Sequence, residues 1–405
     1  MSKMVLTAKI QIMPSKEEGI ALSKTLLQYR DACNYVAQYC YQTHCLQQAK
    51  IHKAVYRTLR SNYDLMSQFA CSVVKTVIAR YKTILRTKHE WVMPSFKAPQ
   101  CDFCWNKDYS LQQDKFSIST NFGRIKASFT SKGMEKYFDK TKYLFGTAKL
   151  VLTKGKFYLH IPVTTSVPDF NTDKVCNVVG VDRGINFLAT TYDSKGKTIF
   201  YSGKEAKQKR AHYKELRKQL QQKQTPSARR RLKAIGQREN RWMNDVNHCI
   251  AKALVASNPQ QTLFVLEDLS NVRTATTKVR RKDRYILVSW SYYDLEQKLK
   301  YKAMQNNCLV INVDPHYTSQ KCPKCGHTER ANRDSRKHLF TCKTCSYRSN
   351  DDRIGAMNLQ QLGINWLAKK SEGSIPPLSG VQSITPRCND SQSTEKKVGK
   401  KRSRT

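Results

Sequence analysis

Cys322, Cys325, Cys342 and Cys345 stand in the pattern C-x2-C-x16-C-x2-C, and a few residues later the chain enters "SNDDRIGAMNL" and an apolar helical stretch. Four thiolates at this spacing can surround one zinc ion from two tight knuckles, and Pro323 and Gly326 suit the turn of the first. All four ligand positions are supplied by protein, so the expected ion is one structural Zn²⁺ with no position open for chemistry. Such a ribbon is common in nucleic-acid proteins and specifies no reaction. It does constrain the fold, because the exit of a metal-fixed module is joined directly to a pair of carboxylates, Asp351 and Asp352. The other cysteines are scattered. Cys101 and Cys104, in "CDFCW", have the two-residue spacing without a second pair and are read as structural thiols.

The chain has 405 residues, with 72 Lys+Arg against 31 Asp+Glu and a net charge of +41. Like charge on this scale repels itself unless a polyanion neutralises it, which points to nucleic acid contacted through many phosphates. No apolar run approaches the length of a membrane span and the N-terminus lacks a signal-peptide core, so no membrane partner is expected. A cysteine-containing chain of this kind is expected in a reducing compartment, cytoplasmic and nucleoid-associated if the host is prokaryotic.

"MVLTAKIQIMP" alternates as a strand does, and residues 15–87 turn helical and basic. The stretch 88–113 reads as irregular. Strands return with "KFSIST", "RIKASFT" and "TAKLVLTKGKFYLHIPV", whose "TKGK" suits a hairpin turn. The N-terminal half is therefore expected to be a small β-barrel with a helical insertion. From Val178, "NVVGVDRGINFLATTYDSKGKTIFYSG" gives three strand-like runs, and a basic helical region covers roughly 203–257. Within it, Arg229, Arg230 and Arg231 are candidates for phosphate contact. "TLFVLEDLS" and "CLVINVDP" read as buried strands with a helix between them. Beside the ribbon, Tyr317 and Gln320 are candidates for contact with a strand of nucleic acid. Residues 371–405, rich in Ser, Pro, Gly and Lys, are expected to be a disordered basic tail.

The carboxylates supply the chemistry. Asp182 ends the apolar run "NVVGV", Glu267 ends "TLFVL", and Asp351 and Asp352 precede the last helix. In an α/β sheet, groups at the C-terminal ends of neighbouring strands converge on one edge. A carboxylate that follows buried apolar residues is costly unless a cation neutralises it. Oxygen-only ligands suit Mg²⁺ or Mn²⁺, and two such ions about 4 Å apart can promote phosphodiester cleavage.

"GVDRGINFLAT", "FVLEDLSN", "VDPHYTSQKCPKCG" and "SNDDRIGAMNL", in this order, resemble the TnpB family of transposon-encoded RNA-guided nucleases, related to the miniature type V CRISPR effectors. The resemblance is strong over roughly 178–365 and less specific over the N-terminal half. It implies an α/β RNase H-like (RuvC) nuclease over 176–315 and 349–370, with Asp182, Glu267 and Asp352 as a Mg²⁺- or Mn²⁺-binding catalytic triad. It implies an inserted zinc-ribbon target-nucleic-acid-binding module over 316–348. It also implies a wedge-like barrel over 1–14 and 114–175, with a helical recognition region over 15–113. Aligning Asn358 with a later Asn of the family selects Asp352 as the catalytic carboxylate, with Asp351 as its neighbour or fallback. Ile354 and Gly355 stand where the family commonly has Asn and Ala, and His338 where its ribbon often has Arg. The implied partners are a guide RNA and a double-stranded DNA target, with one protein copy per RNA. The implied activity is RNA-guided DNA cleavage next to a short motif. An RNA-guided repressor that cleaves weakly and an RNase H-like strand-transfer enzyme are the rival readings.

Overall fold

A computed structural model describes residues 1–88, 90–112, 115–269, 292–334 and 336–372. The expected tail from 373 onward lies outside the described residues. The described chain divides into two compact units, one of residues 3–166 and one of residues 167–372 with the first two residues. No described helix is long and apolar enough to cross a membrane.

In the first unit, strand β1 (Ser2–Met13) buries Met4, Ala8, Ile10 and Ile12 on one side, the period-two pattern of a half-buried strand. Ser15 then starts helix α1 (Lys16–Thr43) through a capping box: Glu18 N donates to Ser15 Oγ at 3.2 Å, and Ser15 N donates to the Glu18 carboxylate at 2.8 Å. Helices α2 (Gln48–Ser61) and α3 (Ser67–Lys88) follow, and α3 packs on both α1 and α2. The remaining strands are β2 (Gln100–Phe103), β3 (Tyr109–Gln112), β4 (Lys115–Thr120), β5 (Gly123–Thr130), β6 (Leu144–Phe145), β7 (Ala148–Thr153) and β8 (Lys156–Val167).

These strands form one eight-stranded sheet in the order β2-β7-β8-β1-β5-β4-β3, with β6 alongside β8. Its two end strands, β2 and β3, are joined by residues 104–108 alone, in a turn where Asp108 N donates to Cys104 O at 2.9 Å. The path therefore bends back on itself into a near-closed sheet. The stretch 88–113, expected to be irregular, contributes both end strands. They are only four residues each and carry little periodic signal, so their pairing with β7 and β4 decides their conformation.

The second unit opens with β9 (Asn177–Asp182), β10 (Phe187–Tyr192) and β11 (Thr198–Ser202). The basic region after them is three helices: α4 (Lys204–Lys223), α5 (Pro226–Ile235) and α6 (Arg238–Ala256). Gln224 ends α4 with a left-handed φ of 50°. Thr225 caps α5 with Pro226 at its first position, and Gly236 closes it. Strand β12 (Thr262–Glu267), helix α7 (Tyr292–Gln305) and strand β13 (Leu309–Val313) lead to the ribbon strands β14 (Arg333–Asp334), β15 (Leu339–Thr341) and β16 (Arg348–Asn350). The last helix among the described residues is α8 (Asp351–Ser371).

The main sheet has the order β11-β10-β9-β12-β13. β10 runs antiparallel to β9 and β11, whereas β12 runs parallel to β9 and β13. Val179, Val181, Phe264 and Leu266 share a core with α6 and α7. Val178, Leu263, Val265 and Ile311 point to the other side, where α8 lies. Two glycines let α8 sit close. A Cβ on Gly180 of β9 would come within 2.0 Å of Ala356 O, and one on Gly363 of α8 within 2.4 Å of Val265.

Candidate functional site

Strand register puts two of the acids together. Leu266 lies opposite Val181 in the parallel β9–β12 pair, so Glu267 and Asp182 end neighbouring strands at the same level. Alternation turns both toward α8, since Val181 and Leu266 face the opposite core. Helix α8 begins at that edge. Asn350 caps it by accepting from Asp352 N at 3.0 Å and Arg353 N at 3.1 Å, which places Asp352 in the first turn beside the positive end of the helix. One turn on, Gly355 lies directly over Asp182.

The electrostatics follow from this packing. Burial pushes the Asp182 carboxyl well above the ordinary carboxylate range, the charges of Glu267 and Asp352 push it further, and Arg333 partly opposes them. Glu267 is raised by burial, against a hydrogen bond from Thr318 and the charges of Arg183 and Arg333. Asp352 is raised by burial and by Asp351, against Arg333, His338 and Lys207. Burial and then the neighbouring Asp182 lift the Tyr292 phenol to about 12. The charges of Glu267 and Asp352 both bear on Asp182, but among the described residues these three acids do not bring their ligand oxygens all within 4.8 Å of one another. As buried hard-oxygen donors around one strand end they suit a divalent cation such as Mg²⁺ or Mn²⁺.

Asp351 is set differently. Its side chain is fully buried, Arg333 Nε donates to it at 2.9 Å, and Asp352 N donates to its other oxygen at 3.0 Å. His338 Nδ1 stands 3.5 Å from the same carboxylate, and His338 also contacts Asn186. His338, Asp351 and Asp352 present ligand atoms within 4.8 Å of one another, but Asp351 is already satisfied by protein.

The four cysteines form a closed group. Their sulfurs lie within 4.8 Å of one another, with Cys322–Cys345 at 3.6 Å and Cys325–Cys342 at 3.5 Å. A tetrahedral zinc with bonds of about 2.3 Å requires sulfurs about 3.8 Å apart, so the group fits the ion. The two knuckles repeat one another. Gly326 N donates to Cys322 O at 3.0 Å and Ser346 N to Cys342 O at 3.0 Å, and both residues have left-handed φ, 77° and 56°. By contrast, Cys101 is fully buried in the core of the other unit and Cys104 bonds within its turn; neither joins a metal-binding group among the described residues.

Arg229, Arg230 and Arg231 are exposed on α5, away from the acids in sequence and element. Tyr317 is 60% exposed with a left-handed φ of 62°, in the turn between β13 and the ribbon. Gln320 is half-buried in that turn, where its backbone N–H donates to Tyr317 O at 2.9 Å. Thr318, one residue from Tyr317, donates to Glu267 Oε1 at 2.5 Å.

Four residues around the acids were not singled out as parts of the site by the sequence, although Asn358 served to align the last motif. Arg333 is one cation among many in the ribbon, and Thr318 and Asn358 are ordinary polar residues. Arg183 stands directly after Asp182. Its side chain, only 1% exposed, pairs with Glu296 at 2.9 Å, donates to Tyr292 O at 3.1 Å and reaches the backbone carbonyl of Glu267. The sequence shows only that an arginine directly follows the strand-end acid; its burial is a fact of the fold.

Comparison with known proteins points the same way. A family model described as "Cas12f1-like, TNB domain" matches residues 292–359, and one described as "Probable transposase" matches residues 160–278. A CRISPR-associated endodeoxyribonuclease Cas12f1 from Syntrophomonas palmitatica is 28% identical over 282 residues, covering 64% of this chain and 55% of that protein. A putative RNA-guided DNA endonuclease, InsQ of Escherichia coli, is 28% identical over 229 residues, covering 52% of this chain and 54% of that protein. The match to the Cas12f1 of Sulfoacidibacillus thermotolerans, at 34% identity, covers 30% of that protein, so the chain spans between about a third and about half of these relatives. Among solved structures, a Cas12f1–sgRNA–target DNA complex matches with a TM-score of 0.56 at 12% identity, covering 88% of this chain and 98% of that one. The likeness to these structures is one of fold.

Proposed function

The chain belongs to the TnpB family, and we propose that it is an RNA-guided, metal-dependent DNA endonuclease whose five-stranded sheet with α8 is a RuvC-like, RNase H-type core. The observation that carries this reading is the convergence of Asp182 and Glu267, at the ends of adjacent parallel strands, with Asp352 in the first turn of the helix crossing them. The names of the relatives, RNA-guided DNA endonuclease and Cas12f1 endodeoxyribonuclease, support the same class of reaction.

Asp182, Glu267 and Asp352 would hold a pair of Mg²⁺ or Mn²⁺ ions, which when bound activate water and stabilise the leaving 3′ oxygen. The protein's part is positional. The charges of Glu267 and Asp352 bear on Asp182 before any cation binds, so a cation relieves that repulsion. Arg333, one-third exposed beside them, offers a guanidinium to the phosphate entering the site. Tyr317 offers an exposed ring on which an unpaired base can stack. Base pairing with the guide RNA selects the target, and the protein reads duplex shape and a short adjacent motif. The ribbon, closed by one structural zinc, holds the strand over the acids. Arg229, Arg230 and Arg231 add phosphate contacts, with one protein copy per RNA.

The test is to purify the protein with the RNA of its own locus, sequence that RNA, and incubate the complex with matched plasmid DNA and Mg²⁺. Cleavage that depends on the match is expected. It should vanish in Asp182→Ala, Glu267→Ala and Asp352→Asn, and survive in part in Asp351→Asn. Binding of matched DNA without cutting would mark a guided repressor. Joining of transposon ends without RNA would mark a strand-transfer enzyme. Either result overturns the nuclease reading.

A further inference from the structure

We infer that Thr318, clamped by Asn358, is a positioning residue that sets the orientation of the Glu267 carboxylate and thereby ties the entry of the zinc ribbon to the acidic site. The inference rests on the nuclease reading for the purpose of the site, though not for the contact itself. Thr318 is 4% exposed and Asn358 7%, so neither bond is one that water readily replaces.

The hydroxyl proton of Thr318 has two acceptors in reach, Glu267 Oε1 at 2.5 Å and Pro315 O at 3.0 Å. The shorter contact, to an acid, takes it, since a hydrogen bond to a carboxylate is the stronger. Holding Oε1 fixes the plane of the carboxylate, and with it the place of Oε2. The threonine is itself held. Asn358 Nδ2 donates to Thr318 O at 2.6 Å and to Lys321 O at 2.8 Å, closing both ends of the short turn 318–321 against α8.

Lys321 immediately precedes the zinc ligand Cys322, and Asn358 lies on the helix that begins with Asp352. One asparagine therefore connects the first zinc knuckle, the helix carrying the third acid and the threonine that holds the second. The turn also carries Tyr317 in its left-handed conformation, a geometry that costs a non-glycine residue energy unless its surroundings impose it. Outer-shell bonds of this type typically change metal affinity by about 10–100-fold when removed.

The discriminating experiment uses Thr318→Val, which keeps the volume and loses the donor, and Thr318→Ser, which keeps the donor. Mn²⁺ binding to each protein–RNA complex is measured by electron paramagnetic resonance, counting the ions that wild type binds and Asp182→Ala does not. Thr318→Val is expected to weaken that binding about tenfold or more, with Thr318→Ser close to wild type. In cleavage, the valine variant should need a correspondingly higher Mg²⁺ concentration and recover its rate at saturation. Unchanged Mn²⁺ affinity in Thr318→Val overturns the inference, as does a serine variant as weak as the valine or the absence of any Asp182-dependent Mn²⁺. If Asp182-dependent Mn²⁺ binds but matched DNA is never cut, the nuclease reading fails while the affinity comparison still decides the role of Thr318.

Discussion

Gly355 lies over Asp182 so closely that a Cβ on the glycine would come within 2.9 Å of the Asp182 Oδ2 atom. Alanine there should raise the helical propensity of α8 by about 1 kcal/mol while pushing against a packed carboxylate. Gly355→Ala is therefore expected to keep or slightly raise Tm and to slow cleavage about tenfold. Gly180→Ala should do the opposite kind of damage, because its Cβ would meet backbone, Ala356 O at 2.0 Å and Gln360 N at 2.6 Å. A loss of about 3 kcal/mol or more is expected there. Denaturant melts together with cleavage rates separate the two outcomes, and equal stabilities would contradict the packing described.

Without divalent cation, Asp182 should make stability fall as pH rises. Burial raises its folded pKa above the unfolded value of about 3.9, so over the interval between the two the folded state holds a proton that the unfolded state has released. The contribution is complete below the unfolded pKa and is lost as pH climbs to the folded one, at about 1.4 kcal/mol per pH unit. Asp182→Asn has no such proton. Its Tm advantage over wild type in Mg²⁺-free buffer should widen as pH rises above the unfolded value of about 3.9, and added Mg²⁺ should raise the Tm of wild type alone. Parallel Tm curves for the two proteins would refute the assignment.

Glu296 is expected to matter for folding more than for chemistry. It neutralises Arg183, whose side chain is 1% exposed, and it also accepts from Lys300 and Asn312 at 2.8 Å each. Burial alone would raise its pKa, but those bonds and the Arg183 charge hold it below the usual range. Glu296→Ala strands a buried cation and should cost about 3–5 kcal/mol. Calorimetry would read this directly, and a change below about 1 kcal/mol would show that Arg183 is not dependent on its partner.

Cys342→Ser with Cys345→Ser should release zinc and reduce cleavage far more than guide-RNA binding. The knuckle those residues form leads through β16 to the cap of α8. Zinc content by atomic absorption, RNA affinity by filter binding and cleavage rate give three separate readings. An equal loss of RNA binding and cleavage would count against the ribbon's role beside the acids.

Much of this site was legible in the sequence because its parts sit where local patterns change. Asp182 and Glu267 each terminate an apolar run that only a buried strand explains, and the cysteine spacing is a local chemical signature. What could not be read was register. Whether Asp182 and Glu267 share a face depends on the pairing of Thr262 with Asn177, a contact 85 residues apart along the chain. The bond from Arg333 to Asp351, the one from Thr318 to Glu267 and the tolerance of β9 for α8 at Gly180 are likewise tertiary facts. The short end strands β2 and β3 escaped notice for the same reason: their partners, not their composition, make them strands.

Helices α4 and α5 close on an apolar cluster of their own, Leu220, Ala228 and Ile235 with Tyr213, Leu216 and Leu232, separate from the cores that hold the sheet. A hairpin that keeps its oil to itself is a modular arm. Its base is rooted, since Ala206 at the start of α4 belongs to the core under the sheet and Arg217 pairs with Glu239 of α6. It is therefore the turn at Gln224 and Thr225, between α4 and α5, that can vary in length without reopening the interior on which the strand-end acids depend.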